Sequence, residues 1–351
     1  AYYSESYPDL VNDGGGSNSY LSQSAGLIEG TDYYSSTTAT STTPGGAAGY
    51  VQDTYVRNGE AGSKIIQEAK DYISQTASAA NGGATIYEVA DDTIYGTAGG
   101  DPRVTRDQYS FASGTTQLLS QTTIAPPITA SQNGPAANTS DTANADTTTQ
   151  VFDPYGRVTW EKDGGGFINY TQYDPATGGV VKQIADVNTN DTSDFTALPS
   201  GWVTPSGGGL ELITADQVDG LGRTTKETAP DGAVTDTVYK DTSHETRVYP
   251  GWNGTTTTGP IQVTREYRPA SGSLGPLYDE TLTSSATPTT SGGVPTGLET
   301  IDQTNIQSLS RDLTNNSGQV YETDAYLSLS GVTYSQSTAQ LGTASNNSAS
   351  G

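Results

Sequence analysis

The amino-acid sequence predicts an all-β protein: an elongated antiparallel β-sheet repeat, of the spiral or solenoid type, with long loops and at most one short helix. Three observations predict this class. Tyr and Thr are abundant, with 22 Tyr against 4 Phe, and both residue types favour half-buried strands. Gly, Asn and Asp interrupt the chain at short intervals, which is typical of tight turns. One phrase recurs at a fixed spacing, which indicates stacked repeats.

The first part of the chain divides by composition. Residues 1–62 are rich in Ser, Thr, Gly and Tyr, and we expect an N-terminal segment that is partly docked on a sheet. Residues 63–128 are predicted to be β-rich. Within them, 63–78 has apolar residues near helical spacing, but the Tyr-, Ile-, Val- and Thr-rich segments that follow favour a strand there. Residues 129–149 carry no large apolar side chain and are predicted to be a linker.

Region 150–250 is predicted to be a repeat of short hairpins. It reads "FDPYGRVTWEKDGGGFINYTQYDPATGGVV" and, after a polar insertion at 186–209, "VDGLGRTTKETAPDGAVTDTVYKD". Asp in a turn accepts backbone N–H groups, Gly supplies a positive φ, and Asp-Gly is a strong hairpin signal. The phrase is therefore interpreted as a building block. The repeat-defining residues are Phe152, Asp153, Gly156, Arg157, Tyr173, Asp174, Asp219, Gly222, Arg223 and Tyr239. Residues 251–351 are predicted to hold degenerate repeats, with a worn copy at 313–324, and a polar C-terminal tail.

At these residues the sequence resembles the Rhs or YD-repeat family, whose phrase is roughly aromatic-Asp-x-x-Gly-Arg, then Asp-x-x-Gly, then Tyr-x-Tyr-Asp. Two units within 150–250 match well, and the flanks match with less specificity. The resemblance implies long antiparallel strands wound into a β-sheet spiral, sometimes closed into a hollow shell. It also implies large secreted or cell-surface bacterial proteins with roles in toxin packaging, contact between cells, adhesion or carbohydrate binding. The repeats here are few and broken by insertions, and no segment matches the family's self-cleaving Asp or toxin tip.

The charge and the rare residue types exclude several classes of function. Asp and Glu total 39 against 15 Lys and Arg, a formal charge of −24, so the surface repels phosphate backbones and no nucleic-acid partner is expected. No apolar run is long enough for membrane insertion. The chain has no Cys and one His, which disfavours thiolate, zinc and copper chemistry. No nucleophile motif occurs and no carboxylate pair stands out, so we expect no enzyme activity.

Three groups of residues are candidates for binding or modification. Alternating oxygen side chains at Asp186, Asn188 and Asn190 resemble the first half of a calcium loop, which makes calcium the one cofactor suggested; a solvated Asn/Asp loop is the alternative. Trp252 lies in a turn-like setting and is a candidate for stacking on a glycan, with burial in a core as the alternative. Candidate glycosylation sites of the Asn-X-Ser/Thr type are Asn138, Asn169, Asn190, Asn253, Asn315 and Asn346.

The function predicted first is an extracellular structural scaffold segment that associates with other copies of itself into a surface fibre, sheath or adhesive filament. Strand edges and abundant Thr and Tyr favour sheet-to-sheet addition. The alternatives are a carbohydrate-binding or adhesion module, with glycans as partners, and part of a toxin-encapsulating Rhs shell. The chain begins "AYYSESYPDL" without Met, so an extracellular or cell-surface protein processed from a longer precursor is expected.

Overall fold

The computed structural model describes residues 2–6, 10–12, 19–21, 26–97, 100–126, 146–268, 277–315, 317–326, 329, 332–338 and 340–341. These residues form β-strands and two single-turn 3-10 helices, Ala79–Asn81 and Asp241–Ser243, with no α-helix among them. The predicted all-β fold class is therefore confirmed.

The strands are β1 (Tyr2–Ser6), β2 (Leu10–Asn12), β3 (Ser19–Leu21), β4 (Leu27–Tyr33), β5 (Val51–Asn58), β6 (Ile65–Thr76), β7 (Thr85–Thr97), β8 (Gly100–Phe111), β9 (Leu118–Ile124), β10 (Thr147–Phe152), β11 (Val158–Lys162), β12 (Ile168–Tyr173), β13 (Val180–Ala185), β14 (Leu212–Val218), β15 (Thr224–Thr228), β16 (Val234–Lys240), β17 (Glu245–Pro250), β18 (Ile261–Tyr267), β19 (Leu277–Ser284), β20 (Thr290–Ser291), β21 (Val294–Pro295), β22 (Ile306–Thr314) and β23 (Val320–Tyr326). None of the helical segments that the structure describes is long and apolar enough to span a bilayer.

The chain forms two compact units. Unit 1 comprises Ala1–Tyr170 and Ala185–Glu211, and unit 2 comprises Thr171–Ile184 and Leu212–Gly351. The insertion at 186–209 thus belongs to unit 1. Residues 129–145 of the predicted linker lie outside the described residues. β10 begins at Thr147, so the last three residues of the predicted linker belong to a strand.

Unit 1 carries an antiparallel sheet whose neighbouring strands follow one another in the chain. β1 pairs with β4, and the strands from β4 to β12 then pair in order. β6 occupies the segment with helix-like spacing, so the strand prediction for 63–78 is right. Its Tyr72 is buried and packs edge-on against Tyr34 and Tyr50, with ring centroids 6.3 and 5.2 Å away. Tyr34 and Tyr50 lie in the connection between β4 and β5, so aromatic packing against that connection favours the strand over the local helical spacing.

A second aromatic cluster in unit 1 depends on the insertion. Trp160 of β11 lies opposite Tyr170 of β12, with ring centroids 4.5 Å apart. Phe195 and Trp202, both from the insertion, approach the Trp160 ring edge-on at 5.3 and 6.5 Å. The insertion therefore folds back to cover one face of this hairpin and bury its large rings.

Unit 2 carries an antiparallel sheet built from hairpins. The strands from β14 to β19 pair in chain order. β20 and β21 form a separate short hairpin, so β19 pairs next with β22, and β22 pairs with β23. Burial alternates along β17, β18 and β19. In β18, Ile261, Val263 and Arg265 are buried, whereas Gln262 and Thr264 are exposed. This period of two is what a half-buried strand requires. The apolar core of unit 2 consists of Tyr249, Trp252, Ile261, Val263, Leu282, Ile301, Leu309, Tyr326, Val332 and Leu341.

Candidate functional site

The first repeat phrase folds into a tight turn closed by one carboxylate. The backbone N–H of Asp153 donates to the carbonyl of Arg157 (2.9 Å), and the N–H of Gly156 donates to the carbonyl of Asp153 (3.0 Å). One carboxylate oxygen of Asp153 accepts the N–H groups of Tyr155 and Arg157, at 2.8 and 3.0 Å. The other oxygen accepts Nε–H of Arg157 at 2.7 Å. A single Asp thus satisfies two backbone donors and an arginine of its own turn.

The second phrase builds the same turn from different neighbours. Asp219 and Arg223 repeat each of these five hydrogen bonds, at distances between 2.8 and 3.0 Å. The φ angles of Gly156 and Gly222 are 79° and 80°, in the left-handed region that favours glycine. A Cβ added to Gly156 would meet nothing within 4 Å, so the backbone conformation, and not lack of space, requires glycine there.

In the second unit the arginine also reaches the next strand. The Arg223 guanidinium donates to both oxygens of Asp241, at 2.6 and 3.1 Å, and lies 4.1 Å from the centre of the Tyr239 ring. The Tyr239 hydroxyl in turn donates to the carbonyl of Thr224 at 3.0 Å. We call Asp219, Arg223, Tyr239 and Asp241 the clasp. It fastens the turn before β15 to the end of β16, and it explains why the phrase combines an aromatic residue, Asp and Arg.

Three further hairpins use the same backbone turn without the arginine. They span Asp163 to Phe167, Ala229 to Ala233 and Asn315 to Gln319, each with a glycine at the fourth position. At the third, Asn315 Oδ1 accepts the N–H groups of Ser317 and Gln319, at 2.9 and 3.0 Å. The worn copy predicted at 313–324 is thus a real turn whose Asn and Gln stand where the other copies have Asp and Arg.

The hydrogen bonds of the repeat turns and of the clasp lower the pKa of their carboxyls. Burial alone would raise the pKa of Asp153, but hydrogen bonds from the Arg157 side chain and from nearby backbone N–H groups outweigh it and hold the pKa below its usual value. In Asp241, the hydrogen bonds from Arg223 lower the pKa. At the wider turn of Asp174, the hydroxyl and the N–H of Thr177 have the same effect. These turns therefore keep their carboxylates ionised at neutral pH.

Unit 2 contains a row of buried charged side chains that sequence reasoning missed. Glu245, Arg265, Glu280 and Arg311 lie directly opposite one another on β17, β18, β19 and β22. Arg265 donates to Glu245 at 2.7 Å and to Glu280 at 2.9 Å, and Arg311 donates twice to Glu280, at 2.8 and 2.6 Å. We call these four residues the charge ladder. Its charges alternate in sign, so the Glu280 carboxylate is held between two guanidinium groups, those of Arg265 and Arg311.

The charge ladder continues into a second cluster beside it. Arg247 donates to Glu245 at 2.6 Å and to Glu299 at 2.7 Å, and Tyr249 donates to the same Glu299 oxygen at 2.6 Å. Burial would raise the pKa of Glu245, but Arg265 and Arg247 more than compensate and lower it. The pKa of Glu299 is also lowered, because the Tyr249 hydroxyl and Arg247 outweigh its burial. Buried charges that are paired in this way fix the strand register, since a slip would leave them unpaired.

The residues predicted to bind calcium lie in a hydrogen-bonded loop. Both carboxylate oxygens of Asp186 accept backbone N–H groups, from Gly209 at 2.7 Å and Leu210 at 2.9 Å. Asn188 Oδ1 accepts the N–H of Asn190 at 3.1 Å. In the part of the chain that the structure describes, no three His, Cys, Asp or Glu side chains form a group that could hold a metal ion. The Asp186 carboxylate therefore closes the base of the insertion, and calcium binding there stays a prediction.

Trp252 is buried in the core of unit 2. It is 6% exposed, its ring centroid lies 5.9 Å from that of Tyr249, and its indole N–H donates to the carbonyl of Gly293 at 2.9 Å. This position corrects the glycan-stacking prediction and fits the core alternative, because no ring face is open to a sugar. Of the glycosylation candidates, Asn190, Asn253 and Asn315 are exposed and Asn169 is half-buried. Asn138 and Asn346 lie outside the described residues.

Comparison with known proteins gives likenesses of fold at low identity. No family model and no curated protein matches the chain. The chain is similar to a chain of the Photorhabdus luminescens Tc holotoxin pore, with 15% identity and a TM-score of 0.40, covering 91% of this chain and 15% of that one. A TcdB2-TccC3 crystal structure gives 13% identity and a TM-score of 0.40, with 90% and 16% covered, and a TcdB2-TccC3-TEV structure gives 13% and 0.41, with 90% and 15%. This chain thus spans about a sixth of the solved chains, and the superpositions are too loose to bear on its function.

Proposed function

We propose that this chain is a structural scaffold segment whose hairpins stack into sheets and whose copies associate into a fibre, sheath or filament. The clasp is the observation that carries the proposal. A phrase that could have marked a binding site instead directs its Asp, Arg and Tyr side chains at one another and at the next strand. Stacked repeats are stabilised by contacts between neighbouring units, and these side chains provide such contacts between hairpins.

The charge ladder supports the same proposal. Arg311 and Glu280 are 0% and 1% exposed, so their charges face one another and not a ligand. The formal charge of −24 keeps such a surface hydrated while leaving association to specific contacts. We place the chain outside the cell or on its surface, as a segment of a longer precursor, with the exposed sequons as glycosylation sites.

Association of the purified chain tests the proposal. Sedimentation velocity over a hundredfold concentration series, with negative-stain electron microscopy of the same samples, should show assemblies that grow with concentration. High salt should favour growth, because it screens repulsion between acidic copies. A chain that stays monomeric throughout would contradict the proposal.

The repeat phrase also favours a second candidate, a stretch of the wall of a larger Rhs-type shell. In that case the chain alone would stay monomeric. A longer product of the same gene would instead form a closed particle that shields an internal segment from added protease. The carbohydrate-binding alternative loses Trp252 as a stacking residue, because that side chain is 6% exposed.

A further inference from the structure

An extended segment near the C-terminus lies across the buried face of unit 2. We call residues 332–341 the strap; the structure describes all of them except residue 339. The described strap residues belong to no strand, so side chains of the sheet, and not a β-ladder, hold the strap in place. Val332 and Leu341, at its two ends, are each 2% exposed and belong to the apolar core of unit 2.

Sheet side chains bind the strap mainly through its backbone. Arg311 donates to the carbonyls of Ser335 and Thr338, at 2.7 and 2.6 Å. The Tyr278 hydroxyl donates to the carbonyl of Gln336 at 2.5 Å, and burial, the main cause, raises the pKa of Tyr278 to about 12, so the hydroxyl keeps its proton at neutral pH. These contacts favour an extended segment outside any β-ladder, because its carbonyls can accept hydrogen bonds from side chains of the sheet.

The strap also adds a side chain to the charge ladder. The Tyr334 hydroxyl accepts a hydrogen bond from Arg265 at 2.6 Å and donates to Glu280 at 2.7 Å. It thereby bridges two ladder residues that already contact each other at 2.9 Å. Because a hydroxyl can donate and accept at once, Tyr fits this position where Phe would not.

We call the side chains that bind the strap, those of Arg265, Tyr278, Glu280 and Arg311, its seat. An empty seat would destabilise unit 2. Arg311 is 0% exposed, and two of its donors point at strap carbonyls. Without the strap, Nη1 of Arg311 would lose the Thr338 carbonyl and Nη2 would lose the Ser335 carbonyl while keeping Glu280, and a buried donor that loses its acceptor destabilises the fold. The seat therefore needs an occupant, and an identical strap from a second copy meets every requirement that the chain's own strap meets.

We propose that the strap exchanges between copies, so that the seat of one copy binds residues 332–341 of another. This inference rests on the proposed self-association and names its interface. Exchange forms no new type of contact, which makes it a low-cost route to association. Five residues separate Tyr326 at the end of β23 from Val332, and short connections favour swapping between copies. The chain's own strap has the higher effective concentration, so exchange grows as the protein is concentrated.

Single cysteines test the proposal cleanly, because the natural chain contains none. Gln340 of the strap donates to Glu322 of β23 at 2.7 Å, at the protein surface. Glu322→Cys and Gln340→Cys chains are purified with tags of different mass, mixed at high concentration and oxidised. Exchange predicts a mixed disulfide between the two chains in several-fold excess over either homodimer. Mixing Gln340→Cys with Asp231→Cys, at an exposed turn of the same unit, measures random collision.

A synthetic peptide with the strap sequence "VTYSQSTAQL" provides an independent arm. Excess peptide should lower the mixed disulfide several-fold, and the peptide with Tyr334→Ala, which keeps the backbone contacts but loses those to Arg265 and Glu280, should lower it less. The inference is overturned if the mixed disulfide does not exceed the Asp231→Cys control, or if the strap peptide has no effect. Assemblies seen without the mixed disulfide would leave the scaffold proposal standing and refute strap exchange alone.

Discussion

Replacing Glu280 with Gln tests the charge ladder most sharply. The two Glu280 oxygens accept hydrogen bonds from Arg265, from Arg311 and from the Tyr334 hydroxyl. Glutamine keeps the shape but removes the charge, and its amide nitrogen would face guanidinium donors instead of accepting from them. Arg265 and Arg311 would then share a buried pocket with one carboxylate fewer.

The expected loss of unfolding free energy is large because the charge ladder is buried away from water. Breaking a buried ion pair by removing one partner costs about 3–5 kcal/mol, whereas an exposed pair contributes about 0–1 kcal/mol. Glu280 is 1% exposed, so the higher range applies. Native domains have total stabilities of about 5–15 kcal/mol, so Glu280→Gln should remove a large share of the stability of unit 2.

Urea unfolding followed by circular dichroism measures this loss, and hydrogen exchange read by mass spectrometry assigns it to unit 2, since two units need not unfold together. With an m-value of about 2 kcal/mol per molar urea, the midpoint should fall by roughly 2 M. The matched control is Glu266→Gln on β18, whose side chain is 56% exposed and 3.6 Å from Arg268. A Glu280→Gln midpoint within 0.3 M (about 0.6 kcal/mol) of the control would refute the reasoning.

Three further predictions concern the turns and the core. Gly222→Ala should lower the unfolding free energy measured in urea by about 1–2 kcal/mol, because φ at Gly222 is 80°. Gly220→Ala, in the same turn but without a positive φ, should leave that free energy unchanged. Equal effects of the two changes would contradict the turn account. Asp236 is 4% exposed, burial raises its pKa, and one oxygen has no hydrogen-bond partner within the protein. A raised folded-state pKa means stability that is present at acid pH and lost as pH rises through that pKa, so Asp236→Asn should stabilise at pH 7 and not at pH 3. The exposed Asp231→Asn change should show no such pH dependence. Trp252→Ala should cost about 3–5 kcal/mol by the same assay, and a loss below 1 kcal/mol would show that the indole is not a core anchor.

The repeat turns were predictable from sequence because their causes are local. Asp153, Gly156 and Arg157 stand within five residues of one another, so the carboxylate, the positive φ and the guanidinium meet without help from the rest of the fold. The local sequence of 63–78 does not by itself distinguish a strand from a helix, because the conformation depends on Tyr34 and Tyr50, which lie in a different part of the chain.

The charge ladder could not be predicted because its register crosses connections of very different length. A signal was present: Arg265 and Arg311 occupy positions that the alternation of β18 and β22 assigns to the buried face. A charge on an apolar face predicts a partner but does not name it. The partner of Arg311 is Glu280, across a connection from residue 285 to 305 whose length hides the pairing from the sequence.

The most direct test of the scaffold account is X-ray fibre diffraction from concentrated, aligned protein, with electron microscopy of the same sample. The account predicts filaments with a reflection near 4.7–4.9 Å, from strands stacked in hydrogen-bonded sheets, and circular dichroism unchanged from that of the dilute chain. Separate particles of one chain each, with no ordered repeat at any concentration, would contradict it.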